Sequence, residues 1–282
     1  MLRKNGSRNH ALPLALPQAT ARCIVEWWPV TSPLDHLRVV LVEARNPLNI
    51  GAAARAMSNF GVRRLRVVNP YQVAFRDARS AVGAAKLLAD AEQYETVAEA
   101  VADCTLVVGT TAVGHRELQH PLRRLEPGIR LIRKRLSAVN VALLFGSERF
   151  GLSNQDLSHC HWLMTIPTRS EHTSMNLGQA VAVCLYELVR SGNAPGTQAG
   201  KKEKKTSARS GEIERLTAML LEILHRSGYV KPREADATET KVRRLIRRMP
   251  LESRDAQLWL GMLRQIRWKV NLNHEQTGGG SK

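Results

Sequence analysis

Five short apolar runs, rich in β-branched residues, recur through the first two-thirds of this chain at positions 39–42, 65–68, 106–108, 141–145 and 163–166. Stretches rich in alanine and leucine lie between them, at 52–60, 81–91 and 97–102. A strand with one wet face alternates apolar and polar residues, whereas a strand covered on both faces reads as a continuous apolar run. Runs of the second kind, alternating with helical stretches, predict an α/β domain built on a parallel sheet. Residues 177–189 close the pattern as a long helix with an apolar stripe of Leu177, Ala180, Val181, Cys184, Leu185 and Leu188.

Two polar clusters follow apolar runs and therefore fall where strands end. One is Asn49-Ile50-Gly51-Ala52-Ala53-Ala54-Arg55-Ala56, which reads as a small-residue helix with Asn49 at its start. The other is Phe145-Gly146-Ser147-Glu148-Arg149-Phe150-Gly151-Leu152, followed later by Ser174-Met175-Asn176-Leu177. In open α/β sheets, ligands bind outside the carboxyl ends of the strands, so the clusters are expected to be neighbours. Neither is a phosphate loop. No Gly-x-Gly-x-x-Gly follows the first strand, and the second ends in Asn69-Pro70 rather than an acidic residue, which disfavours a nicotinamide or flavin enzyme.

The order Asn…Gly…Arg after the first strand, Gly-x-Glu-x-x-Gly-Leu after a late strand and Ser-Met-Asn-Leu opening the last helix resembles the three motifs of the SPOUT RNA methyltransferases. Within that class, Leu41-Val42-Glu43 through Arg55, Gly61-Val62 to Asn69-Pro70, and Val107-Val108-Gly109-Thr110 resemble the TrmJ-type tRNA 2'-O-methyltransferases. The likeness is close over residues 37–191 and weaker over 212–270. It implies a parallel-sheet domain with a C-terminal trefoil knot, S-adenosylmethionine as cofactor, and a homodimer whose partner subunit completes each active site. The implied target is the first nucleotide of the tRNA anticodon loop, nucleotide 32. The alternatives are an rRNA 2'-O-methyltransferase of the same fold and a non-catalytic RNA-binding protein.

Carried over by position, the cofactor would be held by Thr110, Thr111 and Ala112, by Gly146, by Ile166, and by Thr173, Ser174 and Met175, with Leu144 adding apolar lining. Arg55, Asn49, Glu148 and Asn176 would form the catalytic set. A guanidinium stays protonated far above neutrality, so Arg55 is expected to hold the reacting ribose and phosphate rather than act as a base. The competing role for Arg55 is a helix-surface ion pair with Glu148. Asn49 would fix its loop or contact the ribose, and Asn176 is equally suited to capping the helix it opens. Glu148 would orient Arg55 or Arg149, or close its loop through backbone amides.

The formal net charge of +17 points to a polyanionic partner. Up to residue 200 there are 23 basic against 15 acidic residues, and after it 19 against 10, so charge is concentrated in the shorter C-terminal part. Residues 192–211, with their Gly, Pro and Lys201-Lys202-Glu203-Lys204-Lys205, read as a flexible basic linker. Residues 212–271 read as a small all-α RNA-binding domain, in which Val242, Leu245, Ile246 and Met249 share a stripe. Lys241, Arg243, Arg244, Arg247 and Arg248 fan out around that stripe toward RNA. Residues 1–36 and 272–282 are expected to be disordered extensions. Cys23, Cys104, Cys160 and Cys184 have no paired spacing, so no metal site is expected, even for Cys160 between His159 and His161. Together with the lack of a long apolar span, this predicts a reduced, cytoplasmic protein without a membrane partner.

Overall fold

The computed structural model describes residues 32–71, 83–112, 119–190 and 207–278, with side chains as far as Asn271. The expected N-terminal extension up to Thr31 and residues 192–206 of the expected linker lie outside these residues. Regular structure is present ahead of Leu37, where Pro33–His36 forms a 3-10 helix closed by a capping box between Ser32 and Asp35.

Strands β1 (Leu37–Val42), β2 (Arg64–Val68), β3 (Glu92–Tyr94), β4 (Leu106–Thr110), β5 (Leu122–Arg124), β6 (Val141–Phe145) and β7 (Trp162–Thr165) form one parallel sheet. Their order is β3-β2-β1-β6-β4-β7-β5. Between and after them lie α1 (Pro47–Asn59), α2 (Ala85–Ala89), α3 (Val97–Ala100), α4 (Leu125–Leu136), α5 (Asn154–Ser158) and α6 (Leu177–Arg190). Successive strand residues point to opposite faces. Val39 and Leu41 accordingly share a core with Met57, Ile132 and Leu185, while Val40 and Val42 share a second one with Val101, Leu157 and Leu163. Both faces are covered, which is why the central strands are apolar throughout.

β2 breaks that rule at Arg66, which is buried. Its Nε donates to Glu92 Oε2 at 3.0 Å, and its Nη1 donates to Ala100 O at 2.7 Å and Asp103 Oδ1 at 2.5 Å. Burial would raise the Asp103 pKa, but Arg66, helped by Arg38, holds it at about 2. A buried charge is tolerable only when paired and hydrogen-bonded in this way.

α7 (Ser210–Arg226), α8 (Ala235–Arg248) and α9 (Ser253–Gly278) form the C-terminal module around Ile213, Leu216, Ile246, Leu260 and Leu263. Ser210 N donates to Cys104 O at 2.8 Å and Gly211 N to Ala102 O at 2.9 Å, so residues 207–211 dock on the sheet domain. A side chain at Gly211 would come within 3.1 Å of Ala102 O, which fits glycine at this approach.

The expected RNA-facing arginines of α8 need correction. Arg247 is 1% exposed, and its Nη2 donates to Glu214 Oε2 at 3.2 Å. Arg243 Nε donates to the other oxygen, Oε1, at 3.2 Å and is largely covered. The cause is Glu214 on α7, a partly buried carboxylate that turns this arginine face inward and leaves Leu245 half-exposed. Lys241 and Arg248 remain exposed, and Arg244 is partly so.

Cys160 and its neighbours belong to the same junction. Burial pushes the Cys160 thiol up to about 12, which removes it as a thiolate nucleophile. His161 Nδ1 accepts from Val107 N at 3.1 Å. Among the described residues, no group of His, Cys, Asp and Glu suits a metal ion, and no helix is long and apolar enough to cross a membrane.

Candidate active site

β6, β4 and β7 are neighbours in the sheet, so their carboxyl ends bring three loops to one place. A cavity of about 350 Å³ lies there. Thr110, Thr111, Ala112, Gly146, Ile166, Thr173, Ser174 and Met175 all line it. Thr110 Oγ1 donates to Leu144 O at 2.8 Å and Thr111 N to Met164 O at 2.9 Å, which fixes the loop after β4 against both neighbouring strands. Phe145, Leu152, Met164 and Leu177 supply apolar walls. Leu144, expected to join them, is fully buried and contributes its carbonyl instead.

The loop after β6 folds back on itself. Gly151 N donates to Ser147 O at 2.8 Å, and Gly151 takes a φ of 68°. A Cβ on Gly146 would fall 2.0 Å from the Gly151 carbonyl carbon. Backbone therefore occupies the space that any side chain at position 146 would need.

Beside the cavity, three of the four expected catalytic residues form a continuous polar chain. Asn176 Nδ2 donates to Asn49 Oδ1 at 2.7 Å, and Asn49 Nδ2 donates to Glu148 Oε1 at 3.1 Å. The two ends dictate these amide orientations. Glu148, as a carboxylate, only accepts, so Asn49 must turn its NH2 toward it. Asn176 Oδ1 accepts from Gly178 N at 2.9 Å, so its NH2 must face Asn49. Glu148 also accepts from the amides of Arg45 and Asn46, each at 3.2 Å, and so ties the loop after β6 to the start of α1. This is the loop-closing geometry. Asn176 occupies the capping position of α6 through Gly178 and Gln179, in addition to its bond to Asn49.

α1 itself is capped by Asn46, whose Oδ1 accepts from Leu48 N at 2.9 Å, with Pro47 next to it. Asn49 lies a turn inside. The pair Asn46-Pro47 was a legible start signal, since Asn favours the cap and Pro the first helical position.

Arg55 stands apart from this chain. It is exposed on α1, on the same side of the helix as exposed Leu48 and Ala52, and it is absent from the cavity wall. The small residues of α1 let α6 cross closely, as a Cβ on Gly178 would meet Ala52 Cβ at 2.5 Å. The structure thus joins Asn49, Glu148 and Asn176 and places Arg55 on the outer face of the helix that carries Asn49.

Comparison with known proteins fixes the class. The crystal structure of TrmJ from Z. mobilis ZM4 is 31% identical, superposes with a TM-score of 0.70, and covers 82% of this chain and 98% of that one. A putative methylase family protein from Neisseria gonorrhoeae is 30% identical, with a TM-score of 0.58 over 67% of this chain and 96% of that one. The fold is that of a methylase. More particularly, the chain belongs to the SpoU rRNA methylase family, whose model matches residues 36–186. The tRNA (cytidine/uridine-2'-O-)-methyltransferase TrmJ of Pectobacterium atrosepticum is 35% identical over 86% of this chain and 100% of its own length. The enzyme of the same name from Sodalis glossinidius is 34% identical over 83% and 92%.

Proposed function

We propose that this protein is a cytoplasmic, S-adenosylmethionine-dependent tRNA 2'-O-methyltransferase that modifies nucleotide 32, the first of the anticodon loop. The observation that carries the reading is the convergence of three separate loops on one cavity at the carboxyl ends of β4, β6 and β7. Relatives matching over most of the chain are named tRNA (cytidine/uridine-2'-O-)-methyltransferases, which supports tRNA 2'-O-methylation.

The cavity suits the cofactor. Its volume falls within the ~300–1,000 Å³ typical of small-molecule sites, and its walls combine apolar side chains with hydroxyl and charged groups, which suits a cofactor that has both apolar and polar parts. Glycine at 146 lets the backbone of Gly151 and Leu152 pack directly against it and so shapes this wall of the cavity. Thr110, Thr111 and Ala112, with Gly146, Ile166, Thr173, Ser174 and Met175, would hold the molecule. When bound, S-adenosylmethionine supplies an electrophilic methyl group. The chain's own residues supply position. The Asn176–Asn49–Glu148 chain fixes the loop beside the cavity, and Arg55 holds the ribose and phosphate while negative charge grows on the 2'-oxygen.

The outer face of α1 favours a homodimer. Leu48 is 80% exposed beside Ala52 and Arg55, and Tyr186 on α6 is 54% exposed. By the family likeness, Arg55 would then serve the cavity of the partner subunit. By the same family likeness, the segment through the cavity loops is threaded as a trefoil knot, a rare exception to ordinary topology. Lys241, Arg244 and Arg248 would contact the tRNA backbone.

Methyl transfer from labelled S-adenosylmethionine into total tRNA and, separately, rRNA tests the reading, with the modified nucleotide mapped by mass spectrometry. A 2'-O-methyl group at nucleotide 32 is the expected result, and label in rRNA alone would overturn the substrate. Gly146→Ala is expected to lower cofactor affinity about tenfold or more, because overpacking a closed backbone contact costs about 1–3 kcal/mol. Calorimetric titration with S-adenosylhomocysteine measures this, and wild-type affinity would show that the 146–151 loop does not shape the cavity.

A further inference from the structure

A second groove, of about 630 Å³, opens on the other side of the loop after β6. Ser147, Glu148, Arg149 and Phe150 form a wall common to the groove and the 350 Å³ cavity. The opposite wall comes from the β1–α1 connection, including Arg45. The exposed ring of Phe150 lines the groove beneath one guanidinium, and a second exposed ring, Tyr71, lies outside the lining beneath the guanidinium of Arg45. Arg149 lies 5.0 Å from the Phe150 ring centre, and Arg45 lies 5.8 Å from that of Tyr71. Phe150 is 67% exposed and Tyr71 50%.

The two carboxylates of the groove are already engaged. Glu148 accepts from the amides of Arg45 and Asn46 and from Asn49, and Glu43 accepts from Asn69 Nδ2 at 3.1 Å. Glu43 and Asn69 also hold left-handed backbone, with φ of 52° and 47°. Strained, non-glycine positions of this kind concentrate at ligand sites. One exposed phenylalanine on a loop is ordinary surface. An exposed ring under a cation, on the wall of a cavity and across from a strained turn, is a receptor for a flat ligand that carries negative charge.

We infer that this groove receives an unpaired RNA nucleobase adjoining the reacting ribose, stacked on Phe150, with Arg45 and Arg149 on the flanking phosphates. The inference rests on the methyltransferase reading of the neighbouring cavity. RNA-binding proteins take splayed-out bases on aromatic faces and guanidinium planes, because every base offers a π-face. Seating the base on the shared wall would hold its ribose next to the methyl donor.

The test uses the full-length protein without cofactor and a short anticodon stem-loop RNA carrying 2-aminopurine at successive loop positions. Stacking on an aromatic ring quenches the probe's fluorescence. The wild type is expected to bind and quench at one position. Phe150→Ala should bind about five- to a hundredfold more weakly and lose the quench, and Phe150→Trp should restore both. Because the ring also borders the cofactor cavity, affinity for S-adenosylhomocysteine should fall in Phe150→Ala, but by a clearly smaller factor than affinity for the RNA, which loses a stacked base. A Phe150→Ala protein that binds and quenches like the wild type would overturn the inference. So would equal losses of RNA and S-adenosylhomocysteine affinity, which would assign the ring to the cofactor cavity. A wild type that methylates tRNA yet quenches nowhere in the loop sinks this inference alone, and one that neither binds nor methylates sinks the functional reading with it.

Discussion

Replacing Arg55 with alanine is expected to slow methyl transfer by at least about a hundredfold, the usual loss when one preorganised electrostatic donor is removed from a transition state. The expectation is sharp because Arg55 does not line the cavity that would hold the cofactor. Affinity for S-adenosylhomocysteine should therefore stay near the wild-type value, with the loss confined to kcat. Folding should also be nearly unaffected, since Arg55 is exposed on α1 and surface substitutions usually shift stability by less than about 0.5 kcal/mol. Arg55→Lys should recover little, because a lysine keeps the charge but loses the planar fork that grips phosphate and ribose oxygens together. Single-turnover rates, cofactor titrations and thermal melts on the three proteins check each point. Methylation at the wild-type rate by Arg55→Ala would remove Arg55 from the mechanism and leave a helix-surface role.

Asn49 and Asn176 are 127 positions apart, yet their partnership was approachable from sequence. Each follows an apolar run or opens a helix, and strand ends gather on one edge of a parallel sheet. The loops at 110–112, 146, 166 and 173–175 were legible through the resemblance to the SPOUT methyltransferases, and their residues line the cavity. Neither route extended to Phe150 and Arg45, because the groove between them depends on how two loops turn, and no residue pattern records that angle. β3 and β5 escaped notice for a simpler reason. Glu-Gln-Tyr and Leu-Arg-Arg are short and polar, as sheet edges tend to be.

α8 shows the limit of periodicity most clearly. Helical spacing reports which residues share a face, and Arg243 and Arg247 do. It does not report which face is inside. That choice was made by Glu214, 29 and 33 residues earlier in the chain, whose partly buried carboxylate needs cations. Arg66 in β2 follows the same rule through Asp103 and Glu92. In both places a lone charge, read as surface or ignored, is held within the protein by a partner distant in sequence.

Glu214→Ala is expected to destabilise the protein by about 3–5 kcal/mol, the usual result of stripping the partner from a buried charge. Arg247 would be left fully buried beside Arg243 without the carboxylate they share, and His159 would lose the same carboxylate, which lies 3.5 Å from its Nδ1. Arg247→Met should cost clearly less. It leaves Glu214 paired with Arg243, and it removes Nε and Nη1 atoms that have no hydrogen-bond partner among the described residues. The double variant Glu214→Leu with Arg247→Met should lie well above the Glu214→Ala protein in stability, since a packed apolar pair avoids the desolvation that the ions suffer. Acid adds an independent check. Burial would raise the Glu214 pKa, but His159, Arg243 and Arg247 outweigh it and hold the carboxyl at about 2, below its ordinary 4.5. A depressed carboxyl contributes its full stability above the unfolded value and loses it as pH falls toward the folded one. The wild type should therefore weaken between about pH 4.5 and 2 by an amount that Glu214→Ala lacks. Urea unfolding across that range measures both effects. Equal stabilities for Glu214→Ala and Arg247→Met, with parallel acid limbs, would show that the junction is held by its apolar contacts and that α8 is turned inward for another reason.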